Sequence, residues 1–504
     1  VVLCVLFASC ENNLMDLDPI TEVTLEEDSD LNGFDFTELV EMTDFSNMRE
    51  GDFTGRFLII SNGPNLPNNL ERSIANAGGE IVKTFPEIGV AVAVARSGDF
   101  YAKASNISGI ESITPDFILQ YTEEPEMLGE DMVLESNEAH ASGTAFDYQK
   151  ATFDGWQWAP KAINAPEAWK AGVTGEGVRV AVLDGGFHST HIDLAPNLDF
   201  NYSTSTVPGF DWNQDTGTFW HGTHVAGIVA AAGNGIVGIA PKATIVGVKT
   251  LHNGSGAFEW ILEGILYAAR PQSEGGAGAQ VINMSLGATL DQRGNWDSKA
   301  FRDYFRNLQN TYDRATRYAY QNGVTVIASA GNGGTNYDVA KNLFKLPAQN
   351  QHVLSISSTG PTGWVIGNKN FSLLAYYSDH GKSLVDFAAP GGNAALLVVD
   401  GNRTPCTIVG STRQATQLCY VFDMVFSSVR GTSNGNYNWS QGTSMASPAA
   451  AGVVALMMQA NGGNMTPAQV GAKLRQSSTD LGQPGNDEYY GHGFVNAAKA
   501  AGIY

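Results

Sequence analysis

The sequence predicts an α/β protein built on a parallel sheet with helices on both faces, preceded by a small α+β domain. From about residue 156 onward, short β-branched apolar runs alternate with longer helix-like segments, and this alternation is typical of a parallel sheet covered on both faces. Residues 53–121 instead follow the order βαββαβ, typical of a small antiparallel sheet. With 504 residues, the chain is also too long for one ordinary core.

Apolar spacing assigns the elements of the large domain. Short apolar runs bounded by turns predict strands at 178–183, 244–249, 280–285, 324–329 and 353–357. The longer segments between them predict helices at 221–232, 258–270 and 298–321. Near the end of the chain, Thr466 and Gln469 form a capping box with Pro467 at the first helical position, which predicts a helix to about Gln476. In such a sheet, the active residues are expected at the carboxyl ends of the strands.

The small domain is predicted as a ferredoxin-like unit. Its strands are expected at 57–60, 80–85, 89–95 and 109–121, and its helices at 68–77 and 100–107. Ser97 is placed to cap the second helix.

The beginning of the chain indicates export. Residues 1–9 are apolar and end in small residues before Cys10, as at the end of a bacterial lipoprotein signal peptide that is cut before a lipid-carrying cysteine. An ordinary secretory signal with an incidental Cys10 is the alternative. The acidic segment 10–52 lacks apolar periodicity and predicts a flexible tether. The product is expected in the cell envelope as a lipoprotein, or outside the cell after maturation.

The net charge of −22 limits the partners. Such a charge argues against nucleic acid and against an anionic membrane surface as electrostatic partners. A possible lipid on Cys10 is the one membrane contact that the sequence suggests.

Residues 442–448, Gly-Thr-Ser-Met-Ala-Ser-Pro, lead into a long stretch of small and apolar residues that predicts a buried helix. Ser444 therefore lies on the turn that opens this helix, at its positive end. A serine there can act as a nucleophile if a base takes its proton, a third group orients that base, and donors receive the oxyanion.

Three other segments supply these groups. The apolar run 180–183 ends in Asp184 and two glycines, which predicts a buried strand that delivers the carboxylate at its end. His221 begins a small-residue helix, and the strand 324–329 is followed by Asn332. Together with Ser444, these are the parts of a serine hydrolase.

These motifs resemble those of the subtilisin-like serine peptidases, the subtilase family, in which the triad follows the order Asp, His, Ser found here. The resemblance covers the chain from about Trp156 to the end and implies a three-layer α/β/α fold. It implies that Asp184 orients His221, that His221 acts as general base and then acid, and that Ser444 is the nucleophile. It also implies that Asn332 donates its amide to the oxyanion. No cofactor is required for this chemistry.

In front of such a domain, the segment 53–121 resembles the family's inhibitory propeptide, which assists folding and occupies the active-site cleft until it is removed. The bond near Tyr121 or Thr122 is the expected cleavage site, and the acidic segment 123–154 is an equal alternative. The predicted organisation is a signal remnant at 1–9, a tether at 10–52, a propeptide domain at 53–121, a linker with the maturation region at 122–155 and a catalytic domain at 156–504.

The resemblance also places the substrate. The segment Ser285-Leu286-Gly287 is similar to one that pairs with an extended substrate as an added strand. With Ala330 and Gly331 it is expected to wall the pocket for the residue before the scissile bond. Such small walls predict a bulky apolar side chain there, and the alternative is that these residues merely pack a sheet edge. Protein or peptide substrates and the chain's own propeptide are the expected partners.

The motifs depart from the family at two positions. Gly185 stands where Ser or Thr usually follows the catalytic aspartate, and Ala449 stands where a histidine is frequent. The first change removes a hydroxyl near the carboxylate and adds backbone freedom, and a quantitative effect is expected. Ala449 is interpreted as a packing residue.

Cys406 and Cys419 lie in an insertion before the serine motif. In an exported protein they predict a local disulfide that closes a loop, and two buried free thiols are the alternative.

The pairs His221/His224 and His188/His191 lack the glutamate of an HExxH zinc site, so His224 is interpreted as structural. Asp193 matches a family position that often binds calcium, and its partner loop 230–238 is short for that purpose; calcium is expected at most as a structural ion.

Two functions from different classes fit these patterns. The first is an endopeptidase made as a proenzyme, and the second is a catalytically silent surface protein that uses the same fold for binding. The presence of all four chemical groups in suitable local contexts favours the enzyme. An esterase of the α/β-hydrolase type is excluded because Ser444 does not stand in Gly-x-Ser-x-Gly.

Overall fold

The computed structural model describes residues 51–122, 134–135, 148–217, 220–291, 299–410 and 413–503. Residues 1–9, Cys10 and almost all of the tether lie outside the described residues, as does most of the linker 122–155. In the described ranges, no helix has the length and apolar character needed to span a bilayer.

The small domain is an antiparallel sheet with two helices on one face. Its elements are β1 (Phe53–Ser61), α1 (Leu70–Asn76), β2 (Gly79–Phe85), β3 (Val90–Ala95), α2 (Phe100–Ala104) and β4 (Ile110–Gln120). The strand order β2-β3-β1-β4 is the predicted ferredoxin-like arrangement. Because side chains alternate along a strand, Phe57 and Ile59 pack beneath the helices while Leu58 and Ile60 join the core of the large domain.

The start of α2 differs from its prediction. Ser97 does not cap the helix, which begins at Phe100 after Asp99 without a side-chain cap. The Ser97 hydroxyl instead donates to the Asp99 carboxylate at 2.8 Å. The nearby carboxylate is a strong local acceptor, so it takes the hydroxyl that the prediction assigned to the helix end.

The large domain alternates strands and helices as predicted. Its elements, with the short strand before it, are β5 (Leu134–Glu135), α3 (Ala159–Ala162), α4 (Ala165–Lys170), β6 (Arg179–Asp184), β7 (Thr204–Ser205), α5 (His221–Ala230), β8 (Thr244–Lys249), β9 (Ser255–Ala257), α6 (Phe258–Ala269), β10 (Val281–Met284), β11 (Ala288–Asp291), α7 (Lys299–Gln321), β12 (Thr325–Ser329), β13 (Leu343–Leu346), β14 (Val353–Gly360), β15 (Leu373–Leu374), β16 (Phe387–Pro390), α8 (Ala395–Val398), β17 (Pro405–Val409), β18 (Gln414–Leu418), β19 (Val425–Val429), β20 (Asn436–Ser440), α9 (Thr443–Ala460), α10 (Pro467–Ser477) and α11 (Ala497–Ala500).

The central sheet has the strand order β15-β14-β12-β10-β6-β8-β7, with β16 beside β14. Strands β6, β8, β10, β12, β14 and β16 run parallel to their neighbours, and β15 closes one edge antiparallel. The carboxyl ends of β6 and β12 therefore meet at the same edge, which brings Asp184 and the segment after Ser329 together.

Alternating side chains of β6 show the three layers. Val180 and Val182 pack with α5 and α9 on one face, whereas Ala181 and Leu183 pack with α6 and α7 on the other. Both faces of the sheet are thus buried, as a parallel sheet requires. The α/β prediction is confirmed.

The helix ends follow local signals closely. Thr466 and Gln469 form the predicted capping box at the start of α10, with both hydrogen bonds present. The sequence patterns predicted little structure between 388 and 440, where the structure has β16 and the antiparallel pairs β17–β18 and β19–β20. These strands are partly polar and short, so apolar periodicity gave no signal for them.

Candidate active site

Asp184 and His221 form the centre of the site. Asp184 is the last residue of β6 and is fully buried, and His221 is the first residue of α5. Both carboxylate oxygens lie 2.9 Å from the His221 Nδ1, and one of them also accepts the Gly185 backbone N–H at 2.7 Å. The carboxylate therefore fixes the ring and leaves Nε2 as the nitrogen that can act as a base.

Ser444 lies in the first turn of α9, as its motif predicts. Pro448 lies four residues further in the same helix and has no N–H, so the Ser444 carbonyl has no helical donor. The Ser285 hydroxyl supplies the missing bond and donates to this carbonyl at 2.8 Å. In turn, the Ser444 hydroxyl donates to the Ser285 carbonyl at 3.3 Å.

A buried polar network holds this turn in place. Asn283 donates to the Ser285 hydroxyl at 2.9 Å and accepts from the Ser447 hydroxyl at 2.6 Å. All three side chains are buried. The network joins β10 to α9 at Ser444 and at Ser447, which limits the movement of this turn.

Asn332 also contacts the first turn of α9. Its side-chain oxygen accepts the backbone N–H and the hydroxyl of Thr443, both at 2.9 Å. Because the oxygen is taken up by Thr443, the NH₂ group of the amide is directed away from these donors. It lies beside Gly442 and the backbone N–H of Ser444, since a Cβ built on Gly442 would be 3.4 Å from Asn332 Nδ2 and 3.6 Å from Ser444 N. Two N–H donors, from the Asn332 side chain and the Ser444 backbone, thus lie near Gly442.

The absence of a side chain at Gly185 has a steric explanation. A Cβ at this position would lie 2.3 Å from a carboxylate oxygen of Asp215, so a Ser or Thr side chain would require Asp215 to move. No local pattern in the sequence pointed to Asp215, because a loop thirty residues away in the chain brings it there.

Lys249 is a second residue that sequence reasoning missed. It is fully buried, it is paired with Asp184 in the β6–β8 register, and its ammonium donates to the carbonyls of Gly185 and Leu251. Burial lowers its pKa to about 8, against the opposing effect of Asp215 and Asp184. The signal that could have identified Lys249 was its position at the end of β8, the strand beside the one that ends in Asp184.

The small domain reaches the same edge. β4 pairs antiparallel with β9 of the large domain, with Leu119 opposite Gly256. Beyond this pair, the Tyr121 N–H donates to the Gly254 carbonyl and the Tyr121 carbonyl accepts from Gly287 N–H, both at 2.9 Å. The segment therefore lies between β9 and the predicted substrate strand 285–287 as an added strand.

The predicted pocket walls contain a charged residue. Lys345 of β13 contacts Gly287 and Gly331: a Cβ at these glycines would lie 3.3 Å and 2.6 Å, respectively, from the lysine side chain. Ser285, Leu286 and Ala330 are buried around the same corner. The small residues that suggested an apolar pocket thus make space for a lysine, which stands far from them in the sequence.

Cys406 and Cys419 are joined in a disulfide. The bond closes the β17–β18 hairpin, whose Cys406 is opposite Gln417. Both cysteines pack in an aromatic cluster with Trp156 and Trp439. This packing connects the insertion to β20, the strand that precedes α9.

The surroundings of Asp193 do not fit calcium. One carboxylate oxygen accepts the Asn234 N–H at 2.6 Å, and the other accepts the Gly235 and Ile236 N–H groups at 3.0 Å and the Tyr437 hydroxyl at 2.7 Å. These four donors occupy the positions that a cation would need.

The carbonyls of the same loop are also occupied by donors. The Asn234 and Gly235 carbonyls accept the N–H groups of Thr152 and Phe153 at 2.9 Å, and the Val237 carbonyl accepts from the Gln157 amide at 3.0 Å. Within the described ranges, no group of three or more His, Cys, Asp or Glu residues is placed to hold a metal.

Asp193→Ala should lower the free energy of unfolding by on the order of 3–5 kcal/mol, because it leaves buried N–H donors without an acceptor. The loss should be the same in millimolar Ca²⁺ and in EDTA, measured by thermal or urea unfolding of the Ser444→Ala chain to avoid self-digestion. Asp193→Asn keeps one acceptor oxygen and should lose less. Stabilisation of the parent by Ca²⁺ that disappears in Asp193→Ala would instead identify Asp193 as a calcium ligand.

His224 gives the stability of the protein a dependence on pH. It is fully buried in α5, and burial, with a smaller contribution from His221, lowers its pKa to about 3, from an ordinary 6.5. The unfolded chain therefore binds a proton that the folded chain does not bind, and stability falls as the pH drops below 6.5.

Between pH 6.5 and 5, the loss from His224 should be about 2 kcal/mol. His224→Gln should remove this part of the slope while lowering stability at every pH. Urea unfolding of Ser444→Ala with and without His224→Gln, at both pH values, measures the difference. Buried Asp423, whose pKa burial raises to about 7, acts in the opposite direction in both proteins and cancels. Equal slopes would contradict the prediction.

Comparison with known proteins shows the family to which this chain belongs. The profile of the subtilase family of peptidases matches residues 175–493. Subtilisin BL of Lederbergia lenta is 32% identical over 346 residues, which cover 68% of this chain and 97% of that protein. Minor extracellular protease Epr of Bacillus subtilis (strain 168) is 32% identical over 342 residues, 67% of this chain and 41% of that protein, so the match spans less than half of Epr.

A solved structure shows the same fold. The epidermin leader peptide processing serine protease of Staphylococcus aureus superposes with a TM-score of 0.66, covering 89% of this chain and 98% of that one at 20% identity. From the family profile and from relatives more than 30% identical, this chain belongs to the subtilase family of serine peptidases.

Proposed function

We propose that this protein is an exported serine endopeptidase made as a proenzyme, with Asp184, His221 and Ser444 as its triad and Asn332 as an oxyanion donor. The observation that carries the proposal is the double contact of the buried Asp184 carboxylate with His221 Nδ1. This contact supports a role of the imidazole as the base, because it leaves Nε2 available to take a proton.

The chemistry follows from these positions. His221 Nε2 takes the Ser444 proton as the hydroxyl oxygen attacks the substrate carbonyl, and the negative charge moves to the carbonyl oxygen. The Asn332 amide and the Ser444 N–H stabilise this oxyanion. His221 then gives the proton to the leaving amine as the peptide bond breaks, and an acyl-enzyme remains. Water, deprotonated by His221, hydrolyses the ester and restores the hydroxyl.

The small domain is proposed to act as the intramolecular inhibitor. Its last described residues form an added strand between Gly254 and Gly287, where an extended substrate would pair. Since one backbone cannot occupy this edge while another binds there, the domain must leave before an external substrate enters.

Ion pairs across this interface support the role. Glu259 of α6 is fully buried and meets Arg56 at 2.9 Å and Lys83 at 2.7 Å. Arg314 of α7 meets Glu111 at 2.7 Å. Asp116 accepts the Phe258 N–H at the start of α6 at 3.0 Å, and burial together with Glu259 raises its pKa well above its ordinary value. Basic and acidic side chains of the two domains thus form ion pairs across the interface, and Glu259 is fully buried among them.

Export rests on the extracellular relative and on the predicted signal, and a lipid on Cys10 rests on the sequence alone. If processing occurs near Tyr121 or Thr122, it separates the catalytic domain from Cys10 and releases it. Catalytic domain that remains covalently joined to Cys10 after maturation would contradict this release.

The test is maturation of the full chain. After expression and secretion, the protein should separate on a denaturing gel into a small fragment and a catalytic domain, and an alkyl fluorophosphonate should label Ser444 of the large fragment in a peptide map. N-terminal sequencing of each band identifies the cut bond. A chain that stays whole and that also resists labelling after the small domain is removed by added protease would favour the silent binding protein.

A further inference from the structure

The pocket expected to hold the side chain before the scissile bond contains the end of Lys345. A Cβ at Gly331 would lie closest to Oδ2 of Asp379 and 2.6 Å from both Cε and Nζ of this lysine, and one at Gly287 would lie 3.3 Å from the lysine Cε. The lysine side chain is 11% exposed. Its ammonium therefore lies between the two glycine walls rather than on the surface.

The fold fixes this position. β13 pairs antiparallel with β11, and in this register Lys345 is opposite Thr289, two residues after Gly287. The ammonium donates to the Thr289 hydroxyl at 3.0 Å, and the nearer oxygen of Asp379 is 3.7 Å away, which is too long for a hydrogen bond. An ammonium has three N–H donors. Within the described residues, Thr289 accepts one, so the group retains capacity for another acceptor.

Asp379 is bonded to the backbone of the loop after Asn332. It is buried, one of its oxygens accepts the Thr335 N–H at 2.9 Å, and the backbone of Gly333 also donates to the carboxylate. This carboxylate organises the loop after Asn332 and balances the lysine at a distance. Its Oδ2 faces Gly331 and forms an ion pair with the lysine ammonium at 3.7 Å, while the ammonium keeps N–H donors for a ligand that enters between the two glycines.

We propose that Lys345 determines specificity by binding the carboxylate of an acidic residue immediately before the scissile bond. This inference rests on the proposed function and narrows its substrates to chains cut after glutamate or aspartate. A carboxylate entering between Gly287 and Gly331 would receive a charge-assisted hydrogen bond in a site that excludes most water. A large apolar side chain would instead have to cover the ammonium and leave its charge unsolvated.

The chain's own sequence is consistent with this preference. Tyr121 is the residue bonded to Gly287, and the sequence continues Thr122-Glu123-Glu124. The two glutamates lie outside the described residues, and their identity alone enters the argument. A cut after Glu123, one residue beyond Thr122, would place a glutamate immediately before the scissile bond of the precursor.

The experiment compares four peptide substrates that are identical except for Glu, Gln, Phe or Lys before the scissile bond. Each peptide is incubated with the parent, with Lys345→Met and with Lys341→Met, all expressed as the full chain and then matured. For the parent, kcat/KM should be about 10- to 100-fold higher with Glu than with Gln, the worth of a hydrogen bond to a charged group. Lys345→Met should abolish the difference and raise the relative rate for Phe. Lys341→Met removes the same charge at an exposed position nearby and should keep the parent ratio.

Each other result decides against the proposal. Equal rates for Glu and Gln in the parent would overturn it without any variant, and a preference for Lys would assign the pocket to Asp379. Cleavage of none of the four peptides by a protein whose Ser444 still reacts with fluorophosphonate would also overturn it while leaving the chemistry standing. If Ser444 fails to react as well, the proposed function itself fails.

Discussion

Ser444→Ala is expected to lower kcat for peptide hydrolysis by about 10⁶-fold, because nucleophile, base and orienting carboxylate act as a unit. Among the residues that the structure describes, the side chain makes one hydrogen bond, to the Ser285 carbonyl at 3.3 Å, and the bond that Ser285 returns goes to the Ser444 backbone. The turn should therefore keep its shape without the hydroxyl. We expect the precursor to stay whole and its melting temperature to remain close to that of the parent.

The measurement is single-turnover kinetics on catalytic domain released from its pro-segment in trans by a trace of parent enzyme, which is then inactivated. Ser105→Ala, an exposed serine of the small domain, is the matched control and should mature as the parent does. Residual hydrolysis within about tenfold of the parent would show that another residue is the nucleophile.

Local motifs predicted most of what surrounds Ser444. A few neighbouring residues specify the helices that begin at His221 and Thr443 and the strand that ends at Asp184. The observed bounds of these elements therefore agree with the predicted bounds within one or two positions. The fold class followed from the alternation of these elements, because alternating strands and helices can bury both faces of a sheet in few ways.

Contacts between distant segments could not be predicted in the same way. A loop places Asp215 against Gly185, and strand β13 places Lys345 against Gly287 and Gly331. Their positions depend on register and loop path rather than on any local pattern. The small residues near the site were noticed for their size, whereas the side chain that uses the space is charged.

The surroundings of Asp193 also depend on residues that are distant in the sequence. Its position suggested calcium, and the shorter loop gave a hint against it. Four donors to its carboxylate, including the Tyr437 hydroxyl from β20, take the positions that calcium would need, and a tyrosine 244 positions away in the chain gives no local signal.

Asp184→Asn is expected to lower kcat near pH 7 by about 10⁴-fold with little change in stability. In the parent, both carboxylate oxygens accept from the proton on His221 Nδ1, and Gly185 holds one of them in place. An amide would keep its oxygen toward the Gly185 N–H and turn its NH₂ toward His221. The ring would then accept at Nδ1 and carry its proton on Nε2, the nitrogen that must take the proton of Ser444.

The kinetics can separate this tautomer effect from general damage. Since the amide leaves the substrate edge intact, KM should stay within a few-fold while kcat falls, and Asp211→Asn, at an exposed position before the helix of His221, should change neither. Urea unfolding of Asp184→Asn in the Ser444→Ala background should match that background within about 1 kcal/mol, as expected for an isosteric change that keeps its hydrogen bonds. A fall in kcat of less than tenfold would mean that Asp184 does not orient the base, and the double contact at Nδ1 would then be structural.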